Sequence, residues 1–292
     1  MASGKDLKRR IVSTKSTQQI TKAMKMVAAA RLRRAQEAIV RARPFAGAIL
    51  QTVQNLVRIE EIRDHHPLLA KREIKKVNVI LITGDRGLSG GYNSNLNKKA
   101  EAMYRAEAGK YEKFVFTCIG KKGYEYLRLR KIPVAHHYAD FLKGTNYAKS
   151  QIVAEELLNQ YLSGEFDEIR IIFSEFRSAL SQIPQAVTVL PIQVSEEVPT
   201  EKGPTADVDF IYEPNREDIL NALLPRYFKA KLFNAVLEAI ASQYGAQMSA
   251  MESATKNAGE MIRKLNLEYN KVRQAGITKE LLEIVSGAES LK

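Results

Sequence analysis

Two long stretches, one at each end of the chain, carry mostly apolar residues at alternating steps of three and four. The N-terminal seam comprises Ala28, Leu32, Ala35, Ile39, Ala42, Ala46, Ile49, Val53 and Leu56. The C-terminal seam comprises Ala230, Phe233, Leu237, Ile240, Tyr244, Gln247, Met251, Ala254, Ala258, Met261, Leu265, Glu268, Val272 and Ala275. A seven-residue repeat sustained over many turns is typical of helices that wind around each other in a left-handed coiled coil. The chain must therefore form two long helices that each need a partner.

The two helices, predicted over residues 1–58 and 216–292, are expected to pair with each other. One leads into the central part of the chain and the other leads out of it, which predicts an antiparallel pair. The C-terminal helix is longer and should extend beyond its partner by about 25 Å. The projecting end has an apolar stripe of Ile277, Leu281, Ile284 and Val285. An apolar stripe without a partner is unfavourable in water, so this end is expected to bind a socket on another protein.

The central residues 77–194 predict an α/β domain, joined to the helices by polar linkers at 59–76 and 195–215. Segments rich in β-branched and aromatic residues alternate with helix-like segments, which is typical of βαβ units and a largely parallel sheet. The predicted strands are 77–83, 114–120, 132–138, 168–176 and 185–194, and the predicted helices are 95–108, 121–130 and 147–162. The last two strands are close enough to form a hairpin. The expected architecture is an antiparallel coiled coil of the terminal helices with an inserted Rossmann-like α/β domain.

The positive charge of the chain is concentrated at its N-terminal end. The sequence has 45 Lys and Arg against 33 Asp and Glu, a net charge of +12. Residues 1–43 hold twelve of the basic residues and two of the acidic ones, so they carry ten of the twelve net charges. A helix face this one-sided predicts contact with an acidic partner surface, although charged runs are more often simply solvated.

The sequence predicts no catalytic, cofactor or metal site. The Gly-rich segment GDRGLSGG (84–91) follows a strand and precedes a helix, a position that can bind phosphate, but it matches neither the P-loop nor the dinucleotide pattern. A tight turn braced by Asp85 and Arg86 is the simpler interpretation. The adjacent histidine pairs, 65–66 and 136–137, lack metal-ligand spacing. The single cysteine, Cys118, excludes an internal disulfide and favours a core position in a reducing compartment.

Four segments resemble the gamma subunit family of F-type ATP synthase. They are IVSTKSTQQITKAMKMVAAARLRRAQ (11–36), TGDRGLSGGYNSNL (83–96), IYEPNREDILNALLPRYF (211–228) and ATKNAGEMIRKLNLEYNKVRQAGITKELLEIVSGAESL (254–291). The resemblance covers the whole chain, and the two terminal segments are long and specific. It implies a non-catalytic rotor in the central stalk, without a cofactor. It also implies partners in the alpha and beta subunits, the epsilon subunit and the membrane c-subunit ring.

The resemblance also implies specific partner contacts. Lys22, Met24 and Lys25 would face the acidic lever of the beta subunits, and Arg273, Gln274 and Thr278 would contact a beta-subunit loop. Tyr212 and Glu213 would lie near the c-ring and epsilon, and the apolar end of the last helix would enter a sleeve at the top of the alpha/beta hexamer.

The sequence departs from the common family pattern at two positions and lacks two further features. Ser89 stands where many members have Cys and Gly84 where many have Ser, so no thiol role is expected at this turn. The cysteine-bearing insertion of plant-type members is absent. Without a transit peptide, the chain is expected to be bacterial and to lie peripherally at the cytoplasmic face of the cell membrane.

Two other functions compete with this interpretation. AAARLRRAQ with a heptad repeat superficially resembles a basic-region zipper that binds nucleic acid, but a zipper needs neither a second long helix nor an inserted domain. A nucleotide-binding α/β enzyme that uses GDRGLSGG is the other alternative.

Overall fold

The computed structural model describes residues 3–57, 66–70, 72–144, 147–193 and 215–289. The helices are α1 (Gly4–Val57), α2 (Tyr92–Glu107), α3 (Lys121–Leu129), α4 (Tyr147–Leu162) and α5 (Arg216–Glu289). The strands are β1 (Lys76–Ile82), β2 (Lys113–Ile119), β3 (Val134–Tyr138), β4 (Glu168–Phe176) and β5 (Gln182–Leu190). The chain divides into a coiled-coil unit, residues 1–30 and 247–292, and a body, residues 31–246.

In the coiled-coil unit α1 and α5 run antiparallel, as predicted. The contacts that set the direction are Lys25 with Glu252, Thr21 with Thr255, and Gly4 with Tyr269 and Val272. Residue numbers rise along α5 as they fall along α1. Because Gly4 begins α1 and lies beside Val272, the 17 residues of α5 that follow Val272 extend past the partner helix by about 25 Å. The predicted overshoot is confirmed.

The C-terminal seam differs from the prediction in its last third. Met261 is 55% exposed and Glu268 and Ala275 are also exposed, whereas the half-buried positions are Ile262, Leu265, Tyr269 and Val272. The seam passes through Thr255, whose hydroxyl donates to Thr21 Oγ1 at 2.8 Å. From Thr255 the steps of three and four lead through Ala258 to Ile262. The predicted and the observed seam positions both fit a seven-residue repeat. Gln18 and Thr21 of α1, which both contact Thr255, select the observed positions.

The described residues of the body form a five-stranded sheet in the order β3-β2-β1-β4-β5. The first three neighbouring pairs are parallel, and β4 pairs with β5 as an antiparallel hairpin, as predicted. Strand β5 begins three residues before the predicted start, 185, and ends four residues before the predicted end, 194. Pro184 lies inside β5, which is possible because β5 is at the edge of the sheet.

Both faces of the sheet are covered, which explains why β1 is a continuous apolar run after its first residues. Val77, Val79 and Leu81 pack in a core with α2 and α3. Ile80 and Ile82 pack on the opposite face with α4 and with the body segments of α1 and α5.

None of the described helices is long and apolar enough to cross a membrane.

Candidate partner-binding surfaces

The apolar stripe at the end of α5 is exposed to solvent. Ile277 is 48% exposed, Leu281 57%, Ile284 68% and Val285 59%, and Leu282 beside them is 63% exposed. Every side chain from Arg273 to Ser286 is exposed. The stripe therefore carries most of its apolar area into solvent, and nothing else in the coiled-coil unit covers it within the described residues.

The polar residues predicted to contact a partner lie at the start of this exposed segment. Arg273 and Gln274 are exposed, and Thr278 is one turn further along. The Thr278 hydroxyl donates to the Gln274 carbonyl at 2.9 Å. This bond satisfies the hydroxyl within the helix, so the group that is freest to bind a partner carboxylate is the Arg273 guanidinium.

The three residues of α1 predicted to face the beta subunits differ in their exposure to solvent. Lys22 is exposed, whereas Met24 and Lys25 are half-buried. Lys25 Nζ lies 2.6 Å from Glu252 Oε1, with side-chain exposures of 37% and 58%. Part of the Lys25 charge is thus balanced within the chain, and Lys22 is the stronger attraction for an acidic partner.

Sequence reasoning missed the polar layer that joins the two helices. Gln18 lies against Gly259, where a Cβ would come within 2.9 Å of the Gln18 amide nitrogen, and Thr21 bonds to Thr255. The available signal was the run of polar residues at seam positions of α1, upstream of Ala28. Polar groups at a helix seam fix the register because only one alignment satisfies them.

Tyr212 and Glu213, predicted to lie near the ring and epsilon, are outside the described residues.

The Gly-rich turn after β1 is braced by Asp85 within it and by Asn93 at the start of α2. Asp85 Oδ1 accepts hydrogen bonds from the backbone N–H groups of Lys121 and Asp140, both at 3.1 Å. Asn93 Oδ1 accepts the N–H of Gly84 at 2.9 Å. A carboxylate at this turn opposes a bound phosphate, and the N–H of Gly84 already has an acceptor. The geometry supports the predicted turn for Asp85, and Arg86 contributes its backbone carbonyl, which accepts a hydrogen bond from Asn93 Nδ2 at 3.3 Å.

Cys118, His66 and His137 make structural contacts. Cys118 is buried, and burial raises the pKa of its thiol to about 12. His66 bonds to Asn221 and to the N–H of Leu68, and His137 stacks on Tyr124. No group of three or more potential metal ligands lies together in the part of the chain that the structure describes.

Comparison with known proteins gives full-length matches. A family model described as ATP synthase matches residues 3–291. A protein of Anaeromyxobacter sp. (strain Fw109-5) named ATP synthase gamma chain is 46% identical over 294 residues, with 100% of both chains covered. Proteins with the same name from Trichlorobacter lovleyi, 44% identical over 292 residues, and Bdellovibrio bacteriovorus, 46% identical over 296 residues, also cover 100% of both chains.

Solved structures share the fold. A chain from the Euglena gracilis mitochondrial ATP synthase, described as OSCP/F1/c-ring in rotational state 3, matches with a TM-score of 0.67 and 21% identity, covering 99% of this chain and 94% of that one. A chain from the Tetrahymena thermophila mitochondrial ATP synthase, described as central stalk/c-ring, has a TM-score of 0.62 and 23% identity and covers 80% of this chain and 99% of that one.

Proposed function

This chain belongs to the ATP synthase gamma-chain family, and on that premise we propose that it works as the rotor of the central stalk. It couples ion flow through a membrane ring to ATP synthesis and hydrolysis at the sites of the alpha and beta subunits. The chain itself is non-catalytic. The observation that carries the proposal is the exposed end of α5 beyond Val272, because a helix with an uncovered apolar stripe requires an apolar socket.

The apolar stripe is the bearing end of the rotor. Ile277, Leu281, Ile284 and Val285 enter a sleeve formed by the alpha/beta hexamer, and the apolar contact is not directional. A non-directional contact suits a shaft that turns, since it holds the axis in place without favouring one angle strongly. Arg273, Gln274 and Thr278 lie at the mouth of this sleeve and bind a loop of one beta subunit at a time.

The exposed basic residues of α1 form the electrostatic track of the rotor. Lys22, with Met24 and Lys25 beside it, meets the acidic levers of the beta subunits. Exposed ion pairs are each worth about 1 kcal/mol or less. Such weak contacts can form and break with each successive beta subunit, so the shaft pushes the levers without being trapped at one of them.

The lower end of the rotor meets the ring of c subunits and the epsilon subunit through the segment that includes Tyr212 and Glu213. The membrane contact of the chain is therefore indirect, at the cytoplasmic face of a bacterial membrane. The zipper alternative is not supported, because the two seams satisfy each other antiparallel within one chain. A basic zipper needs a parallel dimer.

The test is co-purification of the full chain with alpha and beta subunits, followed by observation of nucleotide-driven rotation. The hexamer is fixed to a surface, and a probe is attached to the body of the chain. We expect a stable complex whose probe turns when ATP is supplied. A complex that hydrolyses ATP while the probe stays still, or a chain that does not assemble, contradicts the proposal.

A further inference from the structure

The sheet of the body has a crevice at which α/β proteins often bind ligands. Helix α2 follows β1 and lies on one face, whereas α4 precedes β4 and lies on the other. From the carboxyl end of β1 the chain continues through α2 to β2, whereas from the carboxyl end of β4 it turns into β5. Because β2 and β5 lie on opposite sides of this strand pair, the chain leaves the adjacent strands β1 and β4 in opposite directions. The crevice beyond the carboxyl ends of two such strands is the usual ligand position in an open α/β sheet.

In this protein the crevice is filled by the chain's own helix α5. Residues of α5 up to Ala239 pack in the core on the α4 face, and Ala246 belongs to the core on the α2 face, which also contains Leu81. Between these residues, helix α5 thus passes over the carboxyl ends of the strands, from one face of the sheet to the other. The crossing segment is rich in small residues, which lets the helix backbone approach the strands closely.

Two buried hydroxyl groups fix α5 along its axis. The Tyr92 hydroxyl donates to the Ala239 carbonyl at 3.1 Å, and the Ser242 hydroxyl donates to the Ser174 carbonyl at 2.8 Å. Pro184, opposite Ser174 in β5, has no N–H to offer. Since Ser242 is fully buried, its hydroxyl needs an acceptor within the protein, and the Ser174 carbonyl is that acceptor.

Close packing at Gly245 limits rotation of α5 about its axis. A Cβ at this position would come within 3.2 Å of the Phe176 ring and 3.4 Å of Ala179 Cα. The Phe176 ring at the end of β4 and the backbone of the β4–β5 turn therefore lie against a surface of α5 that has no side chain. Turning the helix by one residue would drive the side chain of Tyr244 or Ala246 into this position.

We propose that this crossing, from Ala239 to Ala246, is the joint that transmits torque between the sheet and α5. The inference rests on the proposed rotor function and assigns Tyr92, Ser242 and Gly245 as its positioning residues. The hydroxyls resist sliding and the packing at Gly245 resists twisting. Helix α5 continues beyond Ala246 as the longer helix of the coiled coil, so a loose crossing would let the sheet turn without turning the helix.

The test uses the full chain assembled with alpha and beta subunits and compares Ser242→Ala and Tyr92→Phe with the wild type. Ser253→Ala is the matched control, since Ser253 is an exposed serine of the same helix. The probe is attached through Leu129→Cys, because Leu129 is 78% exposed and Cys118 is buried. The first measurement is amide exchange over residues 239–246. Each hydroxyl removed is expected to speed it about fivefold.

The second measurement is the angular variance of the probe while the hexamer is held in one nucleotide state. We expect a larger variance in both hydroxyl variants than in Ser253→Ala, with the unloaded hydrolysis rate unchanged. If Ser242→Ala does not assemble, Tyr92→Phe decides the question, since it keeps the ring and removes one oxygen.

The outcomes separate the two proposals. A wild-type complex that never rotates contradicts the rotor function itself. A wild-type complex that rotates, with variants whose variance equals that of Ser253→Ala, overturns the joint. Variants that only assemble less well, with unchanged variance in the assembled fraction, show that the hydroxyls contribute to folding alone and also overturn it.

Discussion

Replacing the apolar stripe of α5 with alanine should weaken assembly strongly without destabilising the isolated chain. The variant carries alanine at Ile277, Leu281, Ile284 and Val285. These side chains are 48% to 68% exposed, so about half to two-thirds of each remains to be buried by a partner. Full burial of such a side chain is worth about 1.5–3 kcal/mol, which leaves about 1–2 kcal/mol per residue.

The four residues together should contribute about 4–6 kcal/mol, since alanine retains part of the contact. This corresponds to a loss of roughly three to four orders of magnitude in affinity. The assay is the dissociation constant of the full chain for a preformed alpha/beta hexamer, measured by titration with a fluorescent label on the chain. The melting temperature of the free chain should stay the same or rise slightly, because alanine is the best helix former.

The matched control removes a similar apolar area elsewhere. Leu129, Ile152 and Leu180 are 67% to 82% exposed on the body, and their replacement by alanine should leave the affinity unchanged. Binding by the stripe variant within about tenfold of the wild type would refute the socket, since that loss corresponds to only about 1.4 kcal/mol.

Three further outcomes are expected. The double variant Lys22→Glu with Lys25→Glu should lower the ATP yield per transported ion, because the new carboxylates repel the acidic levers. The control Glu252→Gln breaks only the internal ion pair and should leave this yield unchanged. An unchanged yield in the double variant would exclude the electrostatic track. Gly120→Ala should cost about 3 kcal/mol or more in a denaturant titration, because φ is +99° and a Cβ would lie 1.9 Å from the Thr83 carbonyl oxygen. Gly144→Ala, with φ of +60° and open space around it, should cost only about 1 kcal/mol, and equal losses would disprove the steric argument. Burial, together with Glu175, raises the pKa of Glu238 above its ordinary value of 4.5, so the native state holds the proton more tightly than the unfolded chain and stability falls as pH rises above that value. Glu238→Gln should therefore raise the melting temperature at neutral pH but not below pH 4.5, and an equal gain at both would contradict it.

The elements of the body were largely predictable because their signals are local. Strand β4 coincides with its predicted segment, and β1 is displaced by one residue. The ends of β5 were not predictable, because Pro184 normally argues against a strand interior and is tolerated only where the edge of the sheet is open. Edge positions follow from the strand order, which only the folded chain determines.

The surfaces of the coiled coil were predicted in part. The length difference between the helices placed the exposed stripe correctly, since helix rise is constant. After Met251 the predicted positions Ala258, Leu265 and Val272 were right, but Met261 and Glu268 were each off by one residue. The observed seam passes through Thr255, which meets Thr21 on the other helix. Two other contacts join residues that are far apart in sequence, and no local pattern marks them. They are the ion pair of Lys25 with Glu252 and the hydrogen bond of Ser242 with Ser174, where α5 passes over the strand ends.

The uncovered end of α5 also has a consequence for a subunit that has not found its complex. Arg273 and Lys279 are exposed on a helical segment that contacts no other helix or strand among the described residues, so a trypsin-like protease can reach them. The apolar stripe on the same segment is the kind of surface that chaperones and quality-control proteases recognise. Assembly hides both features at once. We expect surplus copies to be degraded from this end, so that the cell's supply of the subunit is matched to that of its partners.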